Sequence, residues 1–330
     1  MPVARLLAAL AVALILGPVA AAPDDDRAGV QRFVAEMTER HGFDPVALQT
    51  LLETARYRPA IVDAMNRPYE DKPWPEYRAL FLTPERIDAG VAFWRDHAET
   101  LTRAETAFGV APEIVVAILG VETRYGRNLG THRTLDALTT LGFSYPKRAD
   151  FFRGELESFL LLSREEGLDP GRILGSYAGA LGTPQVIPSS YRAYAVDFDG
   201  DGQRDLWHSN PDVIGSVANY FKLHGWRPGE PVAFPSELKA GLPDGVDIAG
   251  KTPLMPNRTA GDWRDAGIDW RASTAPSTPA VLIRLAGPTD EYWIGLDNFY
   301  VITRYNHSNL YAMAILQLSE AIRARHAGER

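Results

Sequence analysis

Ile114-Val115-Val116-Ala117-Ile118-Leu119-Gly120-Val121-Glu122-Thr123-Arg124-Tyr125-Gly126 is an almost wholly apolar run that ends abruptly in a carboxylate. It lies inside a longer segment of helical pattern, so the acid falls at the end of a core helix. A carboxylate there must find a partner or keep its proton, because burial disfavours the charged form and raises its pKa. Pairing with Arg124 or Arg127 would make Glu122 structural. Holding its proton near neutral pH would make it a general acid of the kind that glycosidic-bond cleavage needs. The run alone is compatible with both.

Working outward, Asp26 to about Arg103 reads as helices with polar faces, broken at Pro59, Pro68, Pro73, Pro75 and Pro84. Asp44-Pro45 and Thr83-Pro84 each place an N-cap before a proline at the first helical position. Helical pattern continues from Glu99 to about Trp226, with glycine stops at Gly109, Gly142, Gly167 and Gly225. Nine prolines then fall between Arg227 and Pro288, periodicity fades, and Ala280 to Leu285 reads as a strand. Helix returns over Asn309 to Arg325, with Tyr311, Ile315, Leu318 and Ile322 at helical spacing. The expectation is a mainly α chain of α+β type. It has a helical domain over 23–100, a helical core over 101–226, a small proline-rich β insertion over 227–296 and a helical return over 297–330.

The first 22 residues stand apart. Arg5, the apolar run Leu6 to Leu16, a Gly-Pro break and Val19-Ala20-Ala21-Ala22 have the layout of a secretory signal with a small-residue cleavage site. The 330-residue chain has no cysteine, which excludes disulfides, a thiolate nucleophile and a zinc–thiolate site. It also excludes lipid attachment through an N-terminal cysteine, so the expected mature protein is soluble in the periplasm, without a transmembrane helix. The net charge of −8, or −9 once Arg5 is removed, and the lack of a basic stripe argue against nucleic acid as a partner.

A second constellation lies at Asp197-Phe198-Asp199-Gly200-Asp201-Gly202-Gln203-Arg204-Asp205. Carboxylates fall at positions 1, 3, 5 and 9 of an EF-hand-type loop, glycine at position 6, and Gln203 at 7 offers its backbone carbonyl. Oxygen donors converging on one point suit a hard cation. Position 12, normally a bidentate Glu, is His208, and Asp212 is the natural replacement in a longer loop. An Asp/Gly-rich surface turn without an ion is the alternative. A cation here would pin the loop and take no part in chemistry.

With these pieces in hand, the chain resembles the lytic murein transglycosylase B family, from about Gly109 to Trp226 and again from Asp297 to Gln317. The resemblance is carried by Gly120-Val121-Glu122-Thr123-Arg124-Tyr125-Gly126, Tyr145-Pro146-Lys147-Arg148-Ala149 and Ser176-Tyr177-Ala178-Gly179-Ala180. It continues through Ile187-Pro188-Ser189-Ser190-Tyr191, Gly215-Ser216-Val217-Ala218-Asn219-Tyr220-Phe221 and Thr303-Arg304-Tyr305-Asn306. It implies a lysozyme-like helical core flanked by a second helical domain and a small β domain. It implies a catalytic acid at Glu122, substrate contacts at Ser176 and Gln185, and aromatic saccharide contacts at Tyr220 and Tyr305. It implies structural Ca2+ at Asp197, Asp199, Asp201, Gln203 and Asp212, and no organic cofactor. Relatives typically read Gly-Ala-Met-Gly and then a Gln-Phe pair, where this chain has Gly179-Ala180-Leu181-Gly182-Thr183-Pro184-Gln185-Val186.

Most glycosidases need two carboxylates, and the Glu122 motif holds one. The resemblance implies a lytic transglycosylase, a carbon–oxygen lyase acting on the glycan strands of peptidoglycan in cell-wall turnover. Glu122 would protonate the oxygen between N-acetylmuramic acid and N-acetylglucosamine, then draw the proton from the C6 hydroxyl to close a 1,6-anhydro ring. Complexes with other cell-wall enzymes are compatible with that role. A lysozyme-type hydrolase and a non-catalytic glycan-binding scaffold are the rivals.

Overall fold

The computed structural model describes residues 24–66, 72–239, 241–243 and 245–328. The expected export signal over 1–22 lies outside them. Among the described residues six α-helices lead in: α1 (Asp24–His41), α2 (Pro45–Glu53), α3 (Pro59–Met65), α4 (Trp74–Phe81), α5 (Pro84–Asp96) and α6 (Ala98–Phe108). Asp44 and Thr83 cap α2 and α5 by accepting from the amides of Ala47 and Arg86, each with proline at the first helical turn. Gly109, in the left-handed region at φ 77°, ends α6 as expected.

The opening run forms α7 (Pro112–Thr123), whose residues from Pro112 to Gly120 other than Glu113 are buried. It packs against α5, α6, α11 (Asn210–Leu223) and α14 (Asn309–Gly328), which explains an apolar sequence on every side. Ile118 and Leu119 are fully enclosed, each stabilising the fold by roughly 1.5–3 kcal/mol. A two-stranded ladder, β1 (His132–Arg133) with β2 (Leu174–Gly175), and helices α8 (Thr134–Ser144), α9 (Ala149–Glu165) and α10 (Pro188–Tyr194) complete the middle of the chain. Gly142 was expected to stop a helix. It lies inside α8 instead, where a Cβ would come within 3.2 Å of Arg153 Cγ on α9. Close packing of two helices, not termination, explains that glycine.

The proline-rich segment supplies a five-stranded sheet in the order β4 (Arg258–Thr259), β6 (Pro279–Leu285), β7 (Glu291–Gly295), β3 (Ala233–Leu238), β5 (Ile268–Asp269), antiparallel throughout. Leu282 and Ile294 face a small core with Trp263 on α12 (Ala260–Asp265), while Val281, Ile283 and Leu285 join the main core. Both faces of β6 are therefore covered, and its sequence reads as continuous apolar residues. The neck of this segment is tied shut by Asn298 on α13 (Asp297–Thr303). Its side chain takes the Arg227 amide and donates to the carbonyls of Arg227 and Glu230. The fold is mainly helical with a small sheet, in agreement with the expected class. Among the described residues, no single helix is long and apolar enough to cross a membrane.

Candidate active site

Glu122 sits on the last turn of α7, half-buried, with protein packed around its carboxyl group. Burial pushes its pKa from the ordinary 4.5 up to about 7, against a hydrogen bond from Tyr311 that lowers it. The Tyr311 hydroxyl on α14 donates to Glu122 Oε1 at 2.5 Å. Neither Arg124 nor Arg127 pairs with Glu122; the chain turns away after Thr123 through Arg124 (φ 52°), Tyr125 (φ 60°) and Gly126 (φ 83°), all left-handed. Two consecutive non-glycine residues in that region store strain. Thr123 Oγ1 holds the turn, donating to the Thr183 carbonyl at 2.8 Å and accepting from the Gly126 amide at 3.0 Å.

That contact staples the Leu181–Val186 hairpin beside the acid. Leu181 and Val186 exchange backbone hydrogen bonds, and Gln185 is left-handed at φ 51°. Gln185 Nε2 donates to the carbonyls of Gly182 and Leu129, and Gly130 packs on Gly175 and Ser176 too closely to admit a Cβ. Ser176 and Gln185 thus flank one loop. Ser176 Oγ accepts from the amides of Ala178 and Ala180, leaving its own proton to donate elsewhere.

Tyr305 is half-buried, its hydroxyl donating to the Pro184 carbonyl at 2.6 Å, and it lies near enough to Glu122 for that charge to raise its pKa, after burial. Tyr220 is 8% exposed and gives its hydroxyl to the Arg304 carbonyl. His224 stacks on its ring at 3.9 Å, with Tyr194 and Tyr305 packed against the edges at 5.0 Å. Both hydroxyls are therefore spent within the protein. Tyr311 is the residue that sequence reading placed only on a helix face. No local signal marks it, because 189 positions separate it from its partner.

Asp136, Glu155 and Glu157 are occupied elsewhere. Asp136 takes Arg58 and Arg133, and Glu155 takes the amide and hydroxyl of Ser189. Half-buried Glu157 is paired with Arg40 and His41.

At the acidic loop, carboxylate oxygens of Asp197, Asp199 and Asp212 lie within 4.8 Å of one another. Asp197 accepts from the amides of Gly200, Asp201 and Gly202, which hold its pKa low. Asp212 is buried, and burial first, then the Asp199 charge, raises its pKa. Two carboxylates crowding a buried third are short of positive charge, so the donor set fits a hard cation. His208 turns outward to Asp205, leaving Asp212 in the cluster. Asp201 lies outside the trio, its Oδ1 accepting the Gln203 amide.

A carboxyl raised to about 7 on the end of a core helix, bonded to a tyrosine and bordered by a polar hairpin, can both give and take a proton near neutral pH. The lysozyme-like helical setting agrees. The chain belongs to the transglycosylase SLT domain family, which it matches over residues 25–320. It is 46% identical over 304 residues to the membrane-bound lytic murein transglycosylase B of Escherichia coli, covering 88% of this chain and 82% of that one. The lytic transglycosylase SltB1 of Pseudomonas aeruginosa superposes with a TM-score of 0.84 at 48% identity, over 90% of this chain and 98% of that one. The Escherichia coli lytic transglycosylase Slt35, solved in complex with calcium, gives 0.82 at 44%, over 90% and 93%.

Proposed function

We propose that Glu122 alone carries both proton transfers in peptidoglycan cleavage. As a member of this family the chain is a lytic transglycosylase, a lyase that breaks glycan strands of peptidoglycan. In the proposed step Glu122 gives its proton to the oxygen joining N-acetylmuramic acid to N-acetylglucosamine as the C1–O bond breaks. The muramyl acetamido group stabilises the developing positive charge. The C6 oxygen then bonds to C1, and Glu122, now a carboxylate, takes the C6 hydroxyl proton, leaving a 1,6-anhydro ring. The observation that carries this reading is a carboxyl whose pKa is raised to about 7, while buried Asp136 and Glu155 are occupied by their own partners.

Ser176, through its unspent hydroxyl proton, and Gln185, through its side-chain carbonyl, orient the acetamido group. Tyr305 offers a ring face to the sugar, and Tyr220 supports it from behind. Ca2+ bound by Asp197, Asp199 and Asp212, with Asp201 and the Gln203 carbonyl completing the set, pins the loop ahead of α11. The protein works in the periplasm as a soluble enzyme after loss of the 1–22 segment, alongside other cell-wall enzymes. Mass spectrometry of digested peptidoglycan tests the mechanism. Anhydromuramyl ends are expected, and reducing muramic acid in their place would reassign the chain to hydrolysis by water.

A further inference from the structure

Past the strained turn after Glu122 lies a cavity of about 270 Å3 whose lining includes Leu80, Glu85, Arg86, Arg124, Tyr125 and Arg127. Three arginines line it, and Arg124 lies near enough to Arg86 for their charges to interact. Arg86 is 8% exposed, donates Nη1 to the Leu80 carbonyl at 2.6 Å, and has no partner for Nε. Among the described residues none of the three arginines forms an ion pair. Glu85, the one carboxylate at the rim, is exposed and bonds its own backbone and Thr83. A buried guanidinium without a counter-charge is costly, and a second cation beside it adds to the cost. Burial first, then Arg124, lowers the Arg86 pKa, while its guanidinium lies over the Phe81 ring at 5.2 Å.

The walls are built to hold this arrangement. The Tyr125 hydroxyl donates to the Arg86 carbonyl at 2.9 Å, locking the turn after α7 to α5. Its ring is admitted only because positions 90 and 120 are glycine: a Cβ at either would come within 2.6 or 2.5 Å of the hydroxyl oxygen. The same turn projects Arg124 from a left-handed backbone, a strain that clusters at ligand clamps.

We propose that this cavity receives a carboxylate of the peptide stem carried by the muramyl sugar, clamped by Arg86, Arg124 and Arg127. The inference rests on the transglycosylase reading above. Arginine's planar fork matches a carboxylate with two parallel bonds. Arg124 is two residues past Glu122, and a stem of two or three residues spans about 7–10 Å. The muramyl acetamido and hydroxyl groups are neutral, so on a glycan strand the stem carries the anionic groups such a pocket selects.

The test compares kcat/KM on stem-bearing glycan chains and on the same chains with their stem carboxylates amidated. Arg124 and Arg127 are exposed, so Arg124→Gln and Arg127→Gln spare the fold. The ratio of acid-stem to amidated-stem kcat/KM is expected to fall about tenfold in each, through KM. An unchanged ratio overturns the proposal. Calorimetry of the full chain with a muramyl tripeptide and with its fully amidated form is the arm that needs no turnover. Binding of the acid but not the amide is expected, weakened by Arg127→Gln. Equal binding of both forms overturns it. So does inorganic phosphate bound as tightly as the tripeptide and lost in the same variant, which assigns the cavity to free anions. Tripeptide binding without anhydro products would remove the catalytic reading and leave the carboxylate site standing.

Discussion

Replacing Glu122 by Gln should make the protein more stable above neutral pH while abolishing turnover. The folded state holds this carboxyl at about 7, against an ordinary 4.5. At about 1.36 kcal/mol per pH unit, the difference amounts to about 3 kcal/mol. The sign follows from proton linkage. Between the two pKa values the folded protein holds a proton that the unfolded chain has released, so stability falls as pH rises. The favourable contribution of the protonated group is complete below 4.5 and gone above 7. Gln resembles the protonated acid in shape and charge, so Glu122→Gln and the parent should match near pH 4. By pH 8 the variant should be ahead by about 3 kcal/mol. Urea denaturation of both proteins at the two pH values reads this directly, through a shift in midpoint at constant slope. Turnover should fall by about 10²-fold or more at every pH, as expected for loss of a general acid. A stability difference of equal size at pH 4 and pH 8 would refute the reasoning, because it would mean that Glu122 holds no extra proton in the folded state.

Tyr311→Phe removes the one hydrogen bond that lowers the Glu122 pKa, so the alkaline fall of kcat/KM should move up by about one pH unit; a pH–rate profile with an unmoved limb would count against Tyr311. Asp136→Asn should cost about 1.5–3 kcal/mol, because it weakens charge-assisted bonds from Arg58 and Arg133 and loosens α8 from the chain before α3; circular-dichroism melts check it. Removing calcium with a chelator should lower the melting temperature, the lost stabilisation being about 2.7 kcal/mol at calcium one hundred times its Kd. Asp212→Asn should abolish that response, and a melt indifferent to calcium in the parent would contradict the cation site.

Several features are legible in the sequence. An apolar run closed by one carboxylate marks a core helix ending in an acid, because helix periodicity and burial act over a few neighbouring residues, but it leaves open whether that acid is paired or protonated. The alternation of Asp197, Asp199 and Asp201 marks a convergent turn for the same local reason, and Asp212 was named from spacing and resemblance. Gly142 misled, since a glycine that ends a helix and one that admits a neighbouring helix look identical in one dimension. Tyr220 was read as a saccharide contact on the resemblance, but its surroundings of His224, Tyr194 and Tyr305 come from remote segments and enclose it.

For Glu122 the sequence by itself determined that a carboxyl would sit at the end of a buried helix, with two arginines close behind it. Only the tertiary structure decided which way each would turn. The left-handed turn at Arg124 and Tyr125 carries the arginines off to a separate cavity, and α14 delivers Tyr311 to the acid from 189 residues away. A pKa is set by everything within a few ångströms in space, and chain order constrains only the part of that shell that is local.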